Sequence, residues 1–225
     1  MFRFYIIVAC LSQLLSAETA SSKLTNIDYH ENNIVSLTFD DGPSNVTTGI
    51  ILDILKEEKV KATFFVLGLQ AKNNPKLIER IHNDGHEIGN HTYDHKNLSL
   101  LSAQGIRQQI EKTQEILKKQ HLSVNWFRPP YGAGARRART VADEFNLKTI
   151  LWTVDTKDWQ KSNPSSVEKS VDQYVQNGSI VLMHDTKRVT MEALRNIIHH
   201  LKKSKYTFVT LSERQKIVSE RLKAK

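Results

Sequence analysis

The sequence predicts an α/β protein built on a parallel sheet. Three observations carry this. Short β-branched or aromatic runs alternate with amphipathic helical stretches about seven times, the connections between them are short, and no linker or repeat interrupts the alternation. An open doubly wound sheet and a closed barrel both satisfy this pattern. No Gly-rich phosphate loop follows the first strand, so a nucleotide-binding Rossmann fold is not expected.

The elements follow in order. Ile34–Phe39 is apolar with Ser36 and Thr38 interleaved, a buried strand that ends in Asp40-Asp41-Gly42-Pro43. A strand that stops at two acids and a turn presents those acids. Val46–Glu58 repeats apolar residues at Ile50, Ile51, Ile54 and Leu55, a helical period. Ala62–Leu67 is a second strand, Pro75–Asn83 a helix closed by Asp84-Gly85, and Glu87–Asn90 a short third strand. Ser102–Gln120 is a long helix with Ile106, Ile110, Thr113 and Leu117 in register. Val124–Phe127 is a strand, Arg137–Phe145 a helix and Lys148–Val154 a strand. Pro164–Asn177 is a helix with Pro early and Gly178 just beyond it. Ser179–Met183 is a strand, Met191–Lys202 a helix, Thr207–Leu211 a last strand, and Ser212–Lys225 a solvated helix.

The 225 residues suffice for one domain with a substantial core, and 39% hydrophobic with 25% charged residues is a globular composition. Mean hydropathy is −0.44, and no apolar run beyond the N-terminus is long enough to cross a membrane. The first 17 residues, MFRFYIIVACLSQLLSA, combine a positive start at Arg3, an apolar stretch and small residues before Glu18. That is the pattern of a secretory signal peptide, so residues 1–17 are expected to be removed and 18–225 to form the exported domain, secreted or periplasmic. The one cysteine, Cys10, falls in this leader, which leaves the rest without disulfide or thiol chemistry. The formal charge is 32 − 24 = +8, which suits an anionic polymer or surface. The basic residues are scattered apart from Arg136-Arg137 with Arg139 and Lys202-Lys203 with Lys205, so nucleic acid is not expected as a partner.

In parallel α/β folds, functional groups collect at the C-terminal ends of the strands. Here Asp40-Asp41, His91–His95 (HTYDH), Arg128–Gly132 (RPPYG), Asp155–Trp159 (DTKDW) and His184-Asp185 each follow a predicted strand. His91 and His95 are spaced i, i+4, which on a helical turn puts both imidazoles on one face. A surface pair is the alternative in a chain with nine histidines. Two His and a carboxylate form a metal set that leaves a position open for water. Of the two adjacent acids, one can ligate a cation and the other serve as base, and spacing does not decide which. Arg128 can pair bidentately with a carboxylate. Asp158 can hold His184 protonated as a general acid. Trp159 and Tyr131 offer flat faces for sugar rings. His30, His82, His86, His121, His199 and His200 lie outside the clusters and are read as surface or packing residues.

Together these clusters resemble the polysaccharide deacetylase family, the NodB-type carbohydrate esterases. Its five ordered motifs are matched by TFDDGPS (Thr38–Ser44), HTYDH (His91–His95), RPPYG (Arg128–Gly132), DTKDW (Asp155–Trp159) and LMH (Leu182–His184), with no catalytic position lost. The resemblance implies a distorted (β/α) barrel of about seven parallel strands with outer helices. It implies a divalent metal, zinc or else cobalt, and removal of acetyl groups from an amino-sugar polysaccharide. By resemblance Asp41, His91 and His95 are the metal ligands, Asp40 the base held by Arg128, and His184 the acid tuned by Asp158. The Tyr131 backbone N–H would help hold the oxyanion, while Trp159 and Leu182 would line the acetyl pocket. A non-catalytic glycan-binding module would need a lost ligand or base. An O-acetyl esterase acting on xylan would use the same site. Peptidoglycan, chitin oligomers and poly-N-acetylglucosamine are all open as substrates, and oligomeric state is not legible.

Overall fold

The computed structural model describes residues 33–223. The expected leader over 1–17, the polar residues 18–32 behind it, Cys10 and His30 lie outside the described residues.

Strand β1 (Asn33–Asp40) is the axis of the fold, and every residue after Asn33 is buried. Its β-branched composition suits a strand covered on both faces, as a parallel sheet flanked by helices requires. β1 pairs in parallel with β2 (Thr63–Val66), β7 (Ser179–His184) and β8 (Tyr206–Phe208). Val35 faces both Ser179 of β7 and Phe208 of β8, so these two lie on opposite edges. β8 thus covers the start of the edge that β2 covers further on, from Thr38. Beyond β2 come β3 (Glu87–Asn90), β4 (Trp126–Phe127) and β5 (Lys148–Thr149), and beyond β7 comes β6 (Val154–Asp155), all in parallel.

The expected strand over Lys148–Val154 is therefore two short strands at opposite ends of the sheet. β5 pairs with β4, β6 pairs with β7, and Ile150–Thr153 spans the opening between them. The Ile150 N–H donates to the Phe127 carbonyl at 2.9 Å and the Thr153 N–H to the Ile180 carbonyl at 3.0 Å. The sheet curls until its edges are one tetrapeptide apart and closes through the chain rather than through a ladder. This is the distorted (β/α) barrel, with eight strands counting β8.

The outer helices are α1 (Thr48–Glu57), α2 (Gly68–Asn73), α3 (Pro75–Asn83), α4 (Ala103–Lys119), α5 (Ala135–Asp143), α6 (Pro164–Tyr174), α7 (Arg188–Lys203) and α8 (Leu211–Lys223). α1 turns Ile51, Leu52, Ile54 and Leu55 inward; Ile50, expected on that face, is exposed. α4 buries Ile106, Ile110, Thr113 and Leu117 as their spacing requires, and the Ser102 hydroxyl caps it by accepting from the Gly105 N–H. α2 was not anticipated, because Gly68 reads as a strand stop and six residues give no period. Glycine is needed there, since a Cβ would stand 2.4 Å from Thr113 Oγ1 on α4. α8 is not wholly solvated, for it buries Leu211 and Ile217.

Candidate active site

The register of the sheet sets the site. Asp40 ends β1 directly beside His184 at the end of β7, and Asn90 at the end of β3 faces Phe127 of β4, so His91 and Arg128 follow at one level. These strand ends surround a cavity of about 400 Å³. Asp40, Asp41, His91, His95, Tyr131, Trp159, Leu182 and His184 line it, while Arg128 and Asp158 stand buried behind Asp40 and His184. The structure thus brings together all ten residues singled out in the sequence.

The two histidines do not meet on a helical turn. Residues 91–97 contain no helix, and Thr92 (φ 72°) and His95 (φ 61°) are left-handed, which an α-helix forbids. The loop is pinned instead by the Thr92 N–H on Asn90 Oδ1 and by the Tyr93 and Asp94 N–H groups on Gln109 Oε1. It leaves the two imidazole centroids 5.1 Å apart.

Asp41, also left-handed at φ 77°, points its Oδ1 at both rings: 3.5 Å from His91 Nε2 and 3.2 Å from His95 Nε2. One ligand atom from each of the three residues lies within 4.8 Å of the others. Asp41 Oδ1 is buried and has no hydrogen-bond partner. His91 Nδ1 sits 2.6 Å from the Arg128 carbonyl, which can only accept, so the neutral ring carries its proton on Nδ1 and turns the Nε2 lone pair toward Asp41. A lone pair and a carboxylate oxygen facing each other in a buried corner fit a cation between them. Burial pushes the Asp41 carboxyl up, but the imidazoles of His91, His95 and His184 outweigh it and hold the carboxyl at about 2. Burial also lowers His95 despite the charge of Asp41. The His95 shift favours the neutral ring that a cation needs, while the Asp41 shift is the pull of protonated imidazoles whose place a cation would take.

Asp40 was expected to be presented, yet it is buried, open only toward the cavity. Its Oδ1 accepts from Arg128 Nη1 at 2.8 Å. Arg128 is 0% exposed. Its Nη1 also donates to Thr38 Oγ1, its Nη2 donates to the Leu151 carbonyl at 3.1 Å, and the guanidinium lies 4.1 Å from the Phe65 ring centroid. The pairing is therefore not bidentate: the second nitrogen serves the bridging segment Ile150–Thr153. Burial pulls the guanidinium down from its ordinary value, and Asp40 opposes this.

His184 Nδ1 donates to Asp158 Oδ1 at 2.7 Å, and the His184 N–H donates to Asp158 Oδ2 at 2.7 Å. Thr190 Oγ1 also donates to Asp158 Oδ2. Burial disfavours the imidazolium, but the hydrogen bond and charge of Asp158, with the charges of Asp40 and Asp41, raise His184 to about 9. The shift favours the protonated ring.

Tyr131 (φ 59°) is 67% exposed and Trp159 55% exposed, while Leu182 is buried. The Tyr131 hydroxyl lies 3.2 Å from His95 Nδ1. Sequence reasoning gave no role to Trp152, Asp155 and Lys187, which complete the lining, or to Asp185, which follows His184. Asp185 is buried and accepts from Thr48 Oγ1 at 2.6 Å. It occupies the space that a side chain on Gly42 would fill, since a Cβ there would stand 1.9 Å from its Oδ2. Burial, helped by Asp41 and Asp40 and opposed by Thr48, raises its carboxyl to about 7. Its place directly after His184 was the available signal.

Comparison with known proteins agrees with this geometry. The family model described as "Polysaccharide deacetylase" matches residues 28–150. The peptidoglycan-N-acetylglucosamine deacetylase PgdA of Listeria monocytogenes is 43% identical over 183 residues, covering 81% of this chain and 39% of that protein. The chain thus spans about two fifths of that relative's length. The structure of peptidoglycan deacetylase PdaC from Bacillus subtilis superposes with a TM-score of 0.80 at 35% identity, covering 85% of this chain and 94% of that one. A CE4 family pseudoenzyme from Bacillus anthracis superposes with a TM-score of 0.77 at 37% identity, covering 81% and 65%.

Proposed function

We propose that this chain, which belongs to the polysaccharide deacetylase family, is a metal-dependent hydrolase that removes N-acetyl groups from an N-acetylglucosamine-containing polysaccharide. Since a pseudoenzyme shares the fold, the proposal rests on residues. The observation that carries it is the orphaned Asp41 Oδ1 facing two imidazole nitrogens, with Asp40 and His184 beside it in one cavity.

Asp41, His91 and His95 would hold a divalent cation, zinc by preference for this nitrogen and oxygen set, with cobalt as a substitute. When bound, the cation supplies Lewis acidity toward the acetyl carbonyl and acidifies water. Asp40 accepts the proton of the attacking water, and Arg128 fixes its orientation from behind. The Tyr131 N–H donates to the oxyanion. His184, held protonated by Asp158, gives its proton to the departing nitrogen. Leu182 and Trp159 receive the acetyl methyl. An amine leaves only with a proton, so a histidine raised to about 9 favours N-deacetylation over O-deacetylation.

The names of the relatives support a bacterial cell-wall glycan as the substrate. The leader pattern over residues 1–17 supports export, with the chain acting outside the cytoplasm. No helix among the described residues is long and apolar enough to cross a membrane. The test is acetate release from peptidoglycan and from N-acetylglucosamine oligomers. Activity should vanish on chelation and return with zinc or cobalt; full activity in protein shown by elemental analysis to be metal-free would overturn the proposal.

A further inference from the structure

We propose that Lys187 selects a carboxylate-bearing glycan over a neutral one at the catalytic cavity. The inference rests on the deacetylase reading and adds a substrate class to it.

Lys187 stands three residues after His184 and lines the same cavity. Among the described residues it is the only lysine or arginine that does so. Charged groups at or near this cavity have other hydrogen-bond partners. Arg128 bonds Asp40, Arg188 bonds Glu192 at 2.8 Å, and Asp155 Oδ1 accepts from the Lys157 N–H at 2.9 Å. Lys187 Nζ has no ion pair or hydrogen bond with any described residue.

Burial makes this unusual. Lys161 and Lys187 are the half-buried lysines among the described residues. Lys161 donates to the Ser166 carbonyl at 2.7 Å and to Ser170 Oγ. Lys187 gives up part of its hydration and gains no hydrogen bond or ion pair among the described residues, which leaves its ammonium open to an anionic ligand. The cavity itself narrows the kind of anion. Asp40, Asp41 and Asp155 line it as well, so a doubly charged group would meet repulsion, whereas one carboxylate matches one ammonium. Exposed Tyr131 and Trp159 at the same cavity suit the faces of sugar rings. The fitting ligand is an acetylated amino-sugar chain with a carboxylate on a ring substituent or on an attached peptide.

The test uses metal-loaded full chain and three soluble oligosaccharides: one with free ring carboxylates, the same one amidated, and one whose carboxylates lie on attached peptides. Wild type should favour a carboxylate form. Lys187→Gln should lower the acidic-to-amidated ratio of kcat/KM about tenfold, mainly through KM, as one charge-assisted contact implies, and Lys187→Arg should retain most of the preference. The form that loses preference identifies where the carboxylate sits. A ratio unchanged by Lys187→Gln, or equal losses on acidic and amidated chains, overturns the assignment. Equilibrium binding of the same pair reads Lys187 without turnover. If wild type released no acetate but Lys187→Gln still lowered the binding ratio, the deacetylase reading would fall and the Lys187 assignment would stand.

Discussion

Replacing Arg128 with methionine removes hydrogen bonds to Asp40 and Thr38, both 2.8 Å, and to the Leu151 carbonyl at 3.1 Å. The unbranched methionine can still pack over Phe65, so most of the loss is electrostatic. Asp40 remains buried against β7 and loses the cation it hydrogen-bonds. Breaking a buried pair from one side costs about 3–5 kcal/mol, because the surviving charge is uncompensated. That is a large part of the roughly 5–15 kcal/mol by which a domain is stable. Adding Asp40→Asn removes the stranded charge, so the double variant should be more stable than Arg128→Met alone. The assay is urea unfolding of chelated protein at neutral pH, comparing midpoints at constant m. A cost below about 1 kcal/mol for Arg128→Met, typical of an exposed pair, would refute the reasoning, and so would simple addition of the two single-variant costs.

Two further outcomes are expected. His86 accepts from the Ala62 N–H through Nδ1, and burial, with the nearby Lys61 charge, lowers it from 6.5 to about 4. Between those values the unfolded chain binds a proton that the folded chain refuses, so this contribution is complete above pH 6.5 and is lost as the pH falls toward 4. The stability advantage of wild type over His86→Asn should shrink by about 2–3 kcal/mol across that window in urea titrations, and a constant difference would contradict it. His184→Ala should stay folded and metal-bound but lose more activity on an acetamido sugar than on an activated acetate ester, whose leaving group needs no proton; equal losses on both would remove the general-acid role.

Most of the sheet was legible because buried parallel strands have a composition of their own, and Pro75–Asn83 and Glu87–Asn90 appear with the bounds their punctuation implied. Lys148–Val154 was misread as one strand because alternation records burial and not partners. Nothing in KTILWTV says that the chain leaves β4 and crosses to β7. The site was legible through its clusters at strand ends, but not through the geometry first assigned to them. His91 and His95 converge through left-handed residues at Thr92 and His95 that carry no glycine to announce them. Arg128 was legible as a carboxylate partner, but nothing in RPPYG says that it lies over Phe65 inside the barrel with only one nitrogen on Asp40. Trp152 and Lys187 reach the cavity from a bridging segment and a helix start, where sequence offers no chemical motif.

The central claim is a division of labour between two adjacent carboxylates: Asp41 facing the two imidazoles, Asp40 held by Arg128. Elemental analysis of purified Asp40→Asn and Asp41→Asn, each beside acetate release, tests it most directly. The account predicts that Asp41→Asn loses its metal, since a neutral amide is a poorer ligand. It predicts that Asp40→Asn keeps the metal and turns over about 10² to 10⁴ times more slowly, the loss expected of a missing general base. An empty Asp40→Asn beside a loaded Asp41→Asn would contradict it and exchange the two roles.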